Sequence, residues 1–162
     1  MLKEEILNLT KNNKIYVSFD MDGVVAEYDV AKTDEHKQRV TNYYLNKRPI
    51  NTVINFMKEL NETENVTVGI LSCCHFVEQK SDKISWLKKH VPFLRTENIH
   101  IICYENIDYD KENKYSLKTQ YLENLFKNSQ YIVYHVDDDV RVIGLMKKSN
   151  LINVKHISSI IE

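Results

Sequence analysis

The feature that most constrains the fold of this chain is an alternation of short apolar runs with longer amphipathic segments. Five runs have the length of a β-strand: residues 15–19, 66–71, 99–104, 131–136 and 152–157. Runs of this length that are apolar throughout are typical of strands buried on both faces of a sheet. We therefore expect a mainly parallel sheet of five strands.

The segments between these runs carry apolar residues at helical spacing. The clearest stripes are Val53, Phe56, Met57 and Leu60, then Ile84, Leu87 and Val91, then Leu117, Leu122 and Phe126, then Val142, Ile143 and Met146. Residues 1–14 also predict a short amphipathic helix, because Glu4 and Glu5 interrupt the apolar core that a signal peptide needs. Strands that alternate with helices form parallel βαβ units. The sequence therefore predicts one α/β, Rossmann-like domain over residues 1–162, with helices flanking the sheet.

One connection is too long for a simple crossover. About thirty residues separate the first strand from the helix that begins near Ile50, which is well beyond the usual loop length. Residues 34–46 within it are strongly polar and have a helical pattern. Long insertions in compact domains usually form lids or binding loops, so we expect a small cap insertion at about residues 25–49.

Glycine is scarce, with only Gly23, Gly69 and Gly144 in the chain. This spacing excludes a Walker P-loop and a G-x-G-x-x-G dinucleotide fingerprint. The 22 basic and 23 acidic residues give a formal net charge of -1. That balance argues against a uniformly basic nucleic-acid face, although it leaves room for a local basic groove.

The three cysteines, Cys73, Cys74 and Cys103, fit neither a disulfide framework nor a zinc-ligand spacing. No apolar stretch approaches the ~20 residues that a membrane span requires. We therefore expect a protein of the reducing cytoplasm that does not enter a membrane. The sequence leaves the oligomeric state open.

Acidic residues follow two of the predicted strands. Asp20 and Asp22 come directly after the first strand, and a run of three aspartates, residues 137–139, follows the fourth. Ligands of parallel α/β sheets bind beyond the carboxyl ends of the strands, so these groups should meet at one edge. Crowded carboxylates repel each other, and a divalent cation removes that repulsion. Ligands that are all oxygen favour Mg²⁺.

The spacing Asp20-x-Asp22-Gly23 lets both carboxylates face one ligand, while the glycine permits a sharp turn. A calcium-binding EF-hand loop is excluded, because Val24, Val25 and Ala31 occupy positions where that loop needs specific residues. A phosphorelay receiver domain is also disfavoured, because its phosphorylated aspartate follows the third strand.

The segment from Phe19 to Val25, Phe-Asp-Met-Asp-Gly-Val-Val, resembles motif I of the haloacid dehalogenase (HAD) superfamily. Ser72 after the second strand resembles motif II, Lys118 resembles the motif III lysine, and Val136-Asp137-Asp138 resembles motif IV. Within this superfamily, the sequence that follows Asp20 is most similar to that of the 5'(3')-deoxyribonucleotidase branch. A second resemblance is to the phosphatase domains of polynucleotide kinase-phosphatases, which also have a small insertion after motif I.

This resemblance implies a phosphomonoesterase with an aspartyl-phosphate intermediate. Asp20 would be the nucleophile, and Asp22 would act as the general acid and base. Mg²⁺ would be held by Asp20, the backbone carbonyl of Asp22 and Asp137, with Asp138 in support. Ser72 and Lys118 would contact the phosphoryl oxygens.

Several side chains have a plain structural alternative. Lys114 competes with Lys118 for the role of phosphate-binding lysine, and Asp139 is expected to cap the following helix rather than to hold the metal. Cys73 and Cys74 depart from the small and basic residues that many relatives carry after motif II, and we expect them to be inert packed thiols. Their neighbour His75 has no assigned role.

The third helix carries four lysines among acidic residues, a pattern that predicts a solvated face: Lys80, Lys83, Lys88 and Lys89. Tyr28, Tyr43 and Tyr44 lie in or beside the insertion, where a ring could stack on a base, although packing is the simpler role.

The leading functional hypothesis is a Mg²⁺-dependent nucleotidase that dephosphorylates (deoxy)nucleoside monophosphates. The first alternative is a phosphatase that acts on nucleic-acid 3' ends in repair, because a small cap leaves the site open to a polymer. The second is a catalytically silent HAD-like binding module. The sequence does not identify the base, the sugar or the position of the phosphate.

Overall fold

All five predicted strands are present in the computed structural model, which describes residues 1–28, 39, 42–109 and 111–160. The strands are β1 (Lys14–Phe19), β2 (Val66–Cys74), β3 (Ile99–Cys103), β4 (Tyr131–Asp137) and β5 (Ile152–His156). They form one sheet in the order β3-β2-β1-β4-β5, and every neighbouring pair is parallel. The expected α/β, Rossmann-like fold is therefore confirmed.

Helices cover both faces of this sheet. They are α1 (Leu2–Leu9), α2 (Asn51–Asn61), α3 (Val77–His90), α4 (Leu117–Phe126) and α5 (Val140–Met146). Short 3-10 turns lie at Thr96–Asn98, Tyr104–Asn106, Lys111–Ser116 and Ile157–Ile160. Helices α1, α2 and α3 share one apolar cluster with β1, whereas α4 and α5 share the other. In the described part of the chain, no helix has the length and apolar character needed to cross a membrane.

The alternation of side chains along β1 assigns its residues to these two faces. Ile15, Val17 and Phe19 belong to the cluster of α1, α2 and α3, and Tyr16 belongs to the cluster of α4 and α5. Because side chains alternate across a strand, Ser18 lies on the same face as Tyr16. Residues that follow β1 are therefore positioned by a strand that is buried on both faces.

The strand register brings the acidic segments together. Phe19 of β1 pairs with Val136 of β4, and the Asp20 backbone N–H donates to the Val136 carbonyl oxygen at 2.9 Å. Asp20 and Asp137 therefore leave the sheet side by side. The strand bounds agree with the sequence expectation to within one residue except at the end of β2, which continues past Ser72 to Cys74 through its pairing with β3.

The base of the insertion after β1 is closed by backbone hydrogen bonds. Ala26 and Pro49 form an antiparallel bridge, the Glu27 N–H donates to the Arg48 carbonyl, and the Ile50 N–H donates to the Val25 carbonyl. Residues 42–46 form turns, not the helix that their pattern indicated. Residues 29–38, 40 and 41 of the expected cap lie outside the described residues. The closed base keeps residue 47 beside the end of β1.

Leu60 provides a test of the core beneath α2. Its side chain is fully buried in the larger apolar cluster, so Leu60→Ala should lower the free energy of unfolding by about 2–5 kcal/mol. Leu125→Ala on α4 is the matched control, because Leu125 is exposed and should change stability by less than about 0.5 kcal/mol. Urea denaturation monitored by circular dichroism measures both. Equal effects of the two changes would contradict this account of the core.

Candidate active site

Three carboxylates meet at the carboxyl ends of β1 and β4. Asp20, Asp137 and Asp138 each offer an oxygen, and these atoms all lie within 4.8 Å of one another. Asp20 and Asp137 are buried, so bulk water screens their charges poorly. The donor set, which consists only of oxygen, fits a hard divalent cation such as Mg²⁺. The carboxylate of Asp22 lies outside this group and is paired with two lysines.

Lys118 links the two strands across the cluster. Its Nζ lies 2.9 Å from Asp20 Oδ2 and 2.7 Å from Asp137 Oδ2. Burial alone would lower the pKa of this ammonium group, but Asp20 and Asp137 outweigh burial and raise its pKa. The competing Lys114 instead places its Nζ 5.0 Å from the centre of the Tyr115 ring. The structure therefore brings Lys118 to the acidic cluster, as the spacing of the motifs predicted.

Asp137 accepts hydrogen bonds at both carboxylate oxygens. Its Oδ1 accepts from the Asp139 backbone N–H at 2.9 Å, and its Oδ2 is 3.1 Å from His135 Nε2 as well as close to Lys118. Burial would raise the pKa of Asp137, but Lys118 and His135 overcome it and hold that pKa well below its usual range. Asp137 is thus a fixed carboxylate.

Asp138 behaves differently from its neighbour. Burial, together with the charges of Asp20 and Asp137, raises the pKa of Asp138 to about 6. The part of this shift that comes from Asp20 and Asp137 reflects the crowding of carboxylates, and a bound cation would oppose it. The Asp138 side chain also packs against Gly23, whose φ is +79°. A Cβ on Gly23 would lie 2.2 Å from Asp138 Oδ2, so the turn after β1 needs glycine for both conformation and space.

Asp22 is clamped between two lysines. Lys47 Nζ donates to Asp22 Oδ1 at 2.6 Å, and Lys83 Nζ donates to Asp22 Oδ2. Burial would raise the pKa of Asp22, but Lys83 and then Lys47 outweigh it and lower that pKa. The carboxylate is therefore held in its charged form.

Lys83 corrects one sequence expectation. It was grouped with the solvated lysines of α3, yet it is 0% exposed and also donates to Ser72 Oγ at 2.9 Å and to the Cys73 carbonyl at 2.8 Å. These two oxygens and Asp22 Oδ2 replace the water molecules that a buried ammonium group loses. Lys88 and Lys89 of the same helix are exposed, as expected.

A signal for Lys83 was present in the sequence. Gln79, Lys83, Trp86 and Leu87 are the buried residues of α3, and their spacing of four, three and one is that of a single helix face. Lys83 therefore differs from the other lysines of α3, because it lies on the same helix face as the buried Trp86. His135 and Ser18 carry no such signal in the sequence, because they lie in the interiors of strands.

Lys47 is surrounded by aromatic rings. Its Nζ lies 5.5, 5.3 and 4.9 Å from the ring centres of Tyr28, Tyr43 and Tyr44, and the Trp86 indole N–H donates to its backbone carbonyl at 2.8 Å. The rings face a cation of the chain itself, which is a favourable arrangement. Tyr28 is nevertheless 51% exposed, so part of its ring is open to a ligand.

A pocket opens directly above the acids. Asp20, Asp22, Ser72 and Lys118 border it. Its other lining residues are aromatic, basic or thiol side chains: Tyr28, Tyr43, Tyr44, Lys47, Cys73, Cys74, His75, Tyr104, Lys114, Tyr115 and Arg141.

Two residues beside the pocket have the structural roles that the sequence predicted. Burial raises the pKa of the Cys73 thiol, which keeps it protonated and makes it a poor nucleophile. Asp139 caps α5 by accepting from the Arg141 N–H at 2.9 Å, as expected.

Comparison with known proteins identifies a fold but no family. No protein-family model matches the chain, and no curated protein sequence matches it. A solved structure described as "Structure of DsGPDH of Dunaliella salina" is similar, with a TM-score of 0.57 and 16% sequence identity. The similarity covers 91% of this chain and 24% of that chain, so this chain spans about a quarter of that protein's length. At this level of identity the likeness concerns the α/β fold alone.

The role of Lys83 can be tested by Lys83→Met. The change keeps most of the side-chain length but removes the buried donor to Asp22 Oδ2 and Ser72 Oγ, so unfolding should become easier by about 3 kcal/mol or more. Lys88→Met on the exposed face of α3 is the control and should change stability by less than about 0.5 kcal/mol. Thermal and urea unfolding measure the difference. A stable Lys83→Met protein would show that Lys83 is not a structural partner of Asp22.

Proposed function

We propose that this protein is a Mg²⁺-dependent phosphomonoesterase that forms an aspartyl-phosphate at Asp20 and that acts on nucleotides. The observation that supports the proposal best is the oxygen cluster of Asp20, Asp137 and Asp138, bridged by the buried Lys118. A cation and an ammonium group are what an anionic nucleophile needs beside an anionic phosphate. The order of the HAD-like motifs along the chain agrees with these positions.

The cation would be held by Asp20, Asp137 and Asp138, with the backbone carbonyl of Asp22 as a further ligand. When bound, Mg²⁺ would neutralise charge on the phosphoryl oxygens and on Asp20. The charge count supports this assignment, because three carboxylates surround a single ammonium group. The charges of Asp20 and Asp137 add to burial in raising the pKa of Asp138.

Asp20 performs the first chemical step. One of its carboxylate oxygens attacks phosphorus in line, and the bond between phosphorus and the ester oxygen breaks. The Met21 backbone N–H donates to Asp20 Oδ1 at 2.7 Å, and Lys118 lies beside Oδ2, so the orientation of the nucleophile is fixed before substrate arrives. Preorganisation of this kind lowers the barrier.

Asp22 transfers the protons of both steps. It gives a proton to the leaving oxygen, and afterwards it accepts a proton from the water that attacks the aspartyl-phosphate and releases Asp20. The clamp of Lys47 and Lys83 holds Asp22 as the carboxylate, which is the form that the second step requires. For the first step Asp22 must first take up a proton from solvent, which requires one of its oxygens to be released by a lysine. Lys47, which belongs to the insertion, is the lysine that would release its contact with Oδ1.

Ser72 and Lys118 position the transferred group. Ser72 Oγ accepts from Lys83, so its own hydroxyl proton can be donated to a phosphoryl oxygen. Lys118 supplies a fixed positive charge next to the attacking oxygen. Both groups act by placement and charge, which is the main contribution of a protein to phosphoryl transfer.

Nucleotides are the substrate class that fits the pocket lining. Tyrosine rings and the cations Lys114 and Arg141 border the same pocket as Asp20, and they suit a flat base and its phosphate. A nucleic-acid end is the second candidate, because the rim beside the acids is open. Tyr28, Val140 and Arg141 border it, and Arg141 is 63% exposed at its side chain while paired with Asp139.

Asp20→Asn tests the nucleophile. The substitution keeps the shape of the side chain but removes the attacking charge, so turnover of phosphate monoesters should fall by about 10³-fold or more while the fold is retained. Asp108→Asn, at an exposed carboxylate, is the matched control and should keep normal turnover. Phosphate release with Mg²⁺ measures activity, and circular dichroism checks folding. Normal turnover of a folded Asp20→Asn protein would exclude this mechanism.

A panel of phosphate esters separates the two substrate classes. Nucleoside monophosphates and oligonucleotides with a 3'-phosphate are assayed with Mg²⁺ or with EDTA, from about 50 to 200 mM salt. We expect preference for the mononucleotides, a shallow salt response, and no release in EDTA. A steep loss with salt on oligonucleotides would favour the end phosphatase, because polymer binding releases counterions. No hydrolysis of any ester with Mg²⁺ would favour a silent binding module.

A further inference from the structure

A buried polar layer lies directly beneath the acidic cluster. Ser18 and His135 are Cα partners in the β1–β4 register, and both side chains are 0% exposed. Each lies two residues before an acid, Ser18 before Asp20 and His135 before Asp137. Because side chains two apart share a face, this pair supports the acids from below.

The pair forms a continuous hydrogen-bonded chain to Asp137. His135 Nε2 lies 3.1 Å from Asp137 Oδ2, and His135 Nδ1 lies 2.8 Å from Ser18 Oγ. A carboxylate only accepts hydrogen bonds, so Nε2 must be the donor. Ser18 Oγ is also 3.2 Å from the Tyr134 carbonyl oxygen, which ties it to β4. The ring of His135 is therefore held at both nitrogens.

The contacts of Asp137 determine which oxygen remains for a cation. Oδ2 faces two donors, Lys118 Nζ at 2.7 Å and His135 Nε2 at 3.1 Å, and these use both of its lone pairs. Oδ1 accepts one bond, from the Asp139 backbone N–H at 2.9 Å. Among the contacts of the described residues, Oδ1 alone keeps a lone pair, so it is the oxygen that Asp137 presents to a metal ion.

We infer that His135, oriented by Ser18, is a positioning residue that fixes Asp137 and presents its Oδ1 to the divalent cation. The inference rests on the cation of the proposed function and adds residues that the HAD-like motifs do not contain. Outer contacts of this type typically change metal affinity by about 10–100-fold when they are removed. An apolar ring at 135 would remove one of the two donors to Oδ2. Lys118 and the Asp139 N–H would then hold the carboxylate less firmly in the orientation that points Oδ1 at the cation.

The test measures binding of Mn²⁺ alone to the full chain, by electron paramagnetic resonance of the free ion, without any substrate. His135→Phe should raise the Kd for Mn²⁺ by about 10–100-fold. His135→Gln keeps an N–H donor toward Asp137 and should restore most of the affinity. Ser18→Ala should give an intermediate loss, and Ser18→Ala combined with His135→Phe should bind no worse than His135→Phe alone, because the two act as one unit.

His100→Phe is the matched control. His100 lies on β3, where its Nδ1 is bonded to Tyr121 Oη at 2.8 Å, so Mn²⁺ affinity should be unchanged. A folded His135→Phe protein with a Kd within about twofold of the wild type would overturn the inference. If that variant fails to fold, unchanged affinity in Ser18→Ala would overturn it equally. Wild-type protein that binds no Mn²⁺ also overturns it.

The same measurement is independent of the proposed reaction. Wild-type protein that binds Mn²⁺ and shows the expected order of affinities, but hydrolyses no phosphate ester, would support the positioning role and contradict the phosphatase. Normal hydrolysis with no change of Mn²⁺ affinity in the folded variants would support the phosphatase and contradict the positioning role.

Discussion

The contact of Lys118 with both Asp20 and Asp137 is the interaction on which the rest of the site depends. These two carboxylates leave neighbouring strands at the centre of the sheet, where burial makes their repulsion strong. A single ammonium group within 3 Å of both allows them to stay ionised and close together. Lys118 lies in the first turn of α4, so the packing of that helix on the sheet also sets the spacing of the acids.

The charges of the site come from opposite faces of the sheet. Lys118 reaches the acids from the side of α4, and Lys83 reaches Asp22 and Ser72 from α3 on the other side. Isolated buried charges are strongly unfavourable, so neither lysine could remain buried without the aspartates, and the aspartates need the lysines in return. This mutual dependence makes the arrangement of charges a property of the whole fold. Asp138 adds a third carboxylate to this cluster, where burial, together with the charges of Asp20 and Asp137, raises its pKa.

Much of this arrangement could be predicted from the sequence. The apolar runs indicated every strand, since strands buried on both faces need continuous apolar character, and the order of Asp20, Ser72, Lys118 and Asp137 placed the candidate site. The helix face that Lys83 shares with Trp86 does not by itself decide its burial, because the long side chain of a lysine can extend from an apolar face into solvent. Its burial depends on the tertiary position of Asp22, which lies sixty-one residues earlier.

Ser18 and His135 show a second limit of sequence reasoning. The sequence does not show which residue a polar side chain inside an apolar strand will contact, because that depends on the register of the strands. The register of two strands that are distant in sequence is a tertiary property. Here it is set by the opposite face, where Val17 and Phe19 of β1 pack in the same apolar cluster as Val136 of β4. A shift of one residue would turn that apolar face away from its own cluster and toward α4 and α5. The same shift would separate Ser18 from His135 and Asp20 from Asp137, so the apolar packing on one face maintains the polar chemistry on the other.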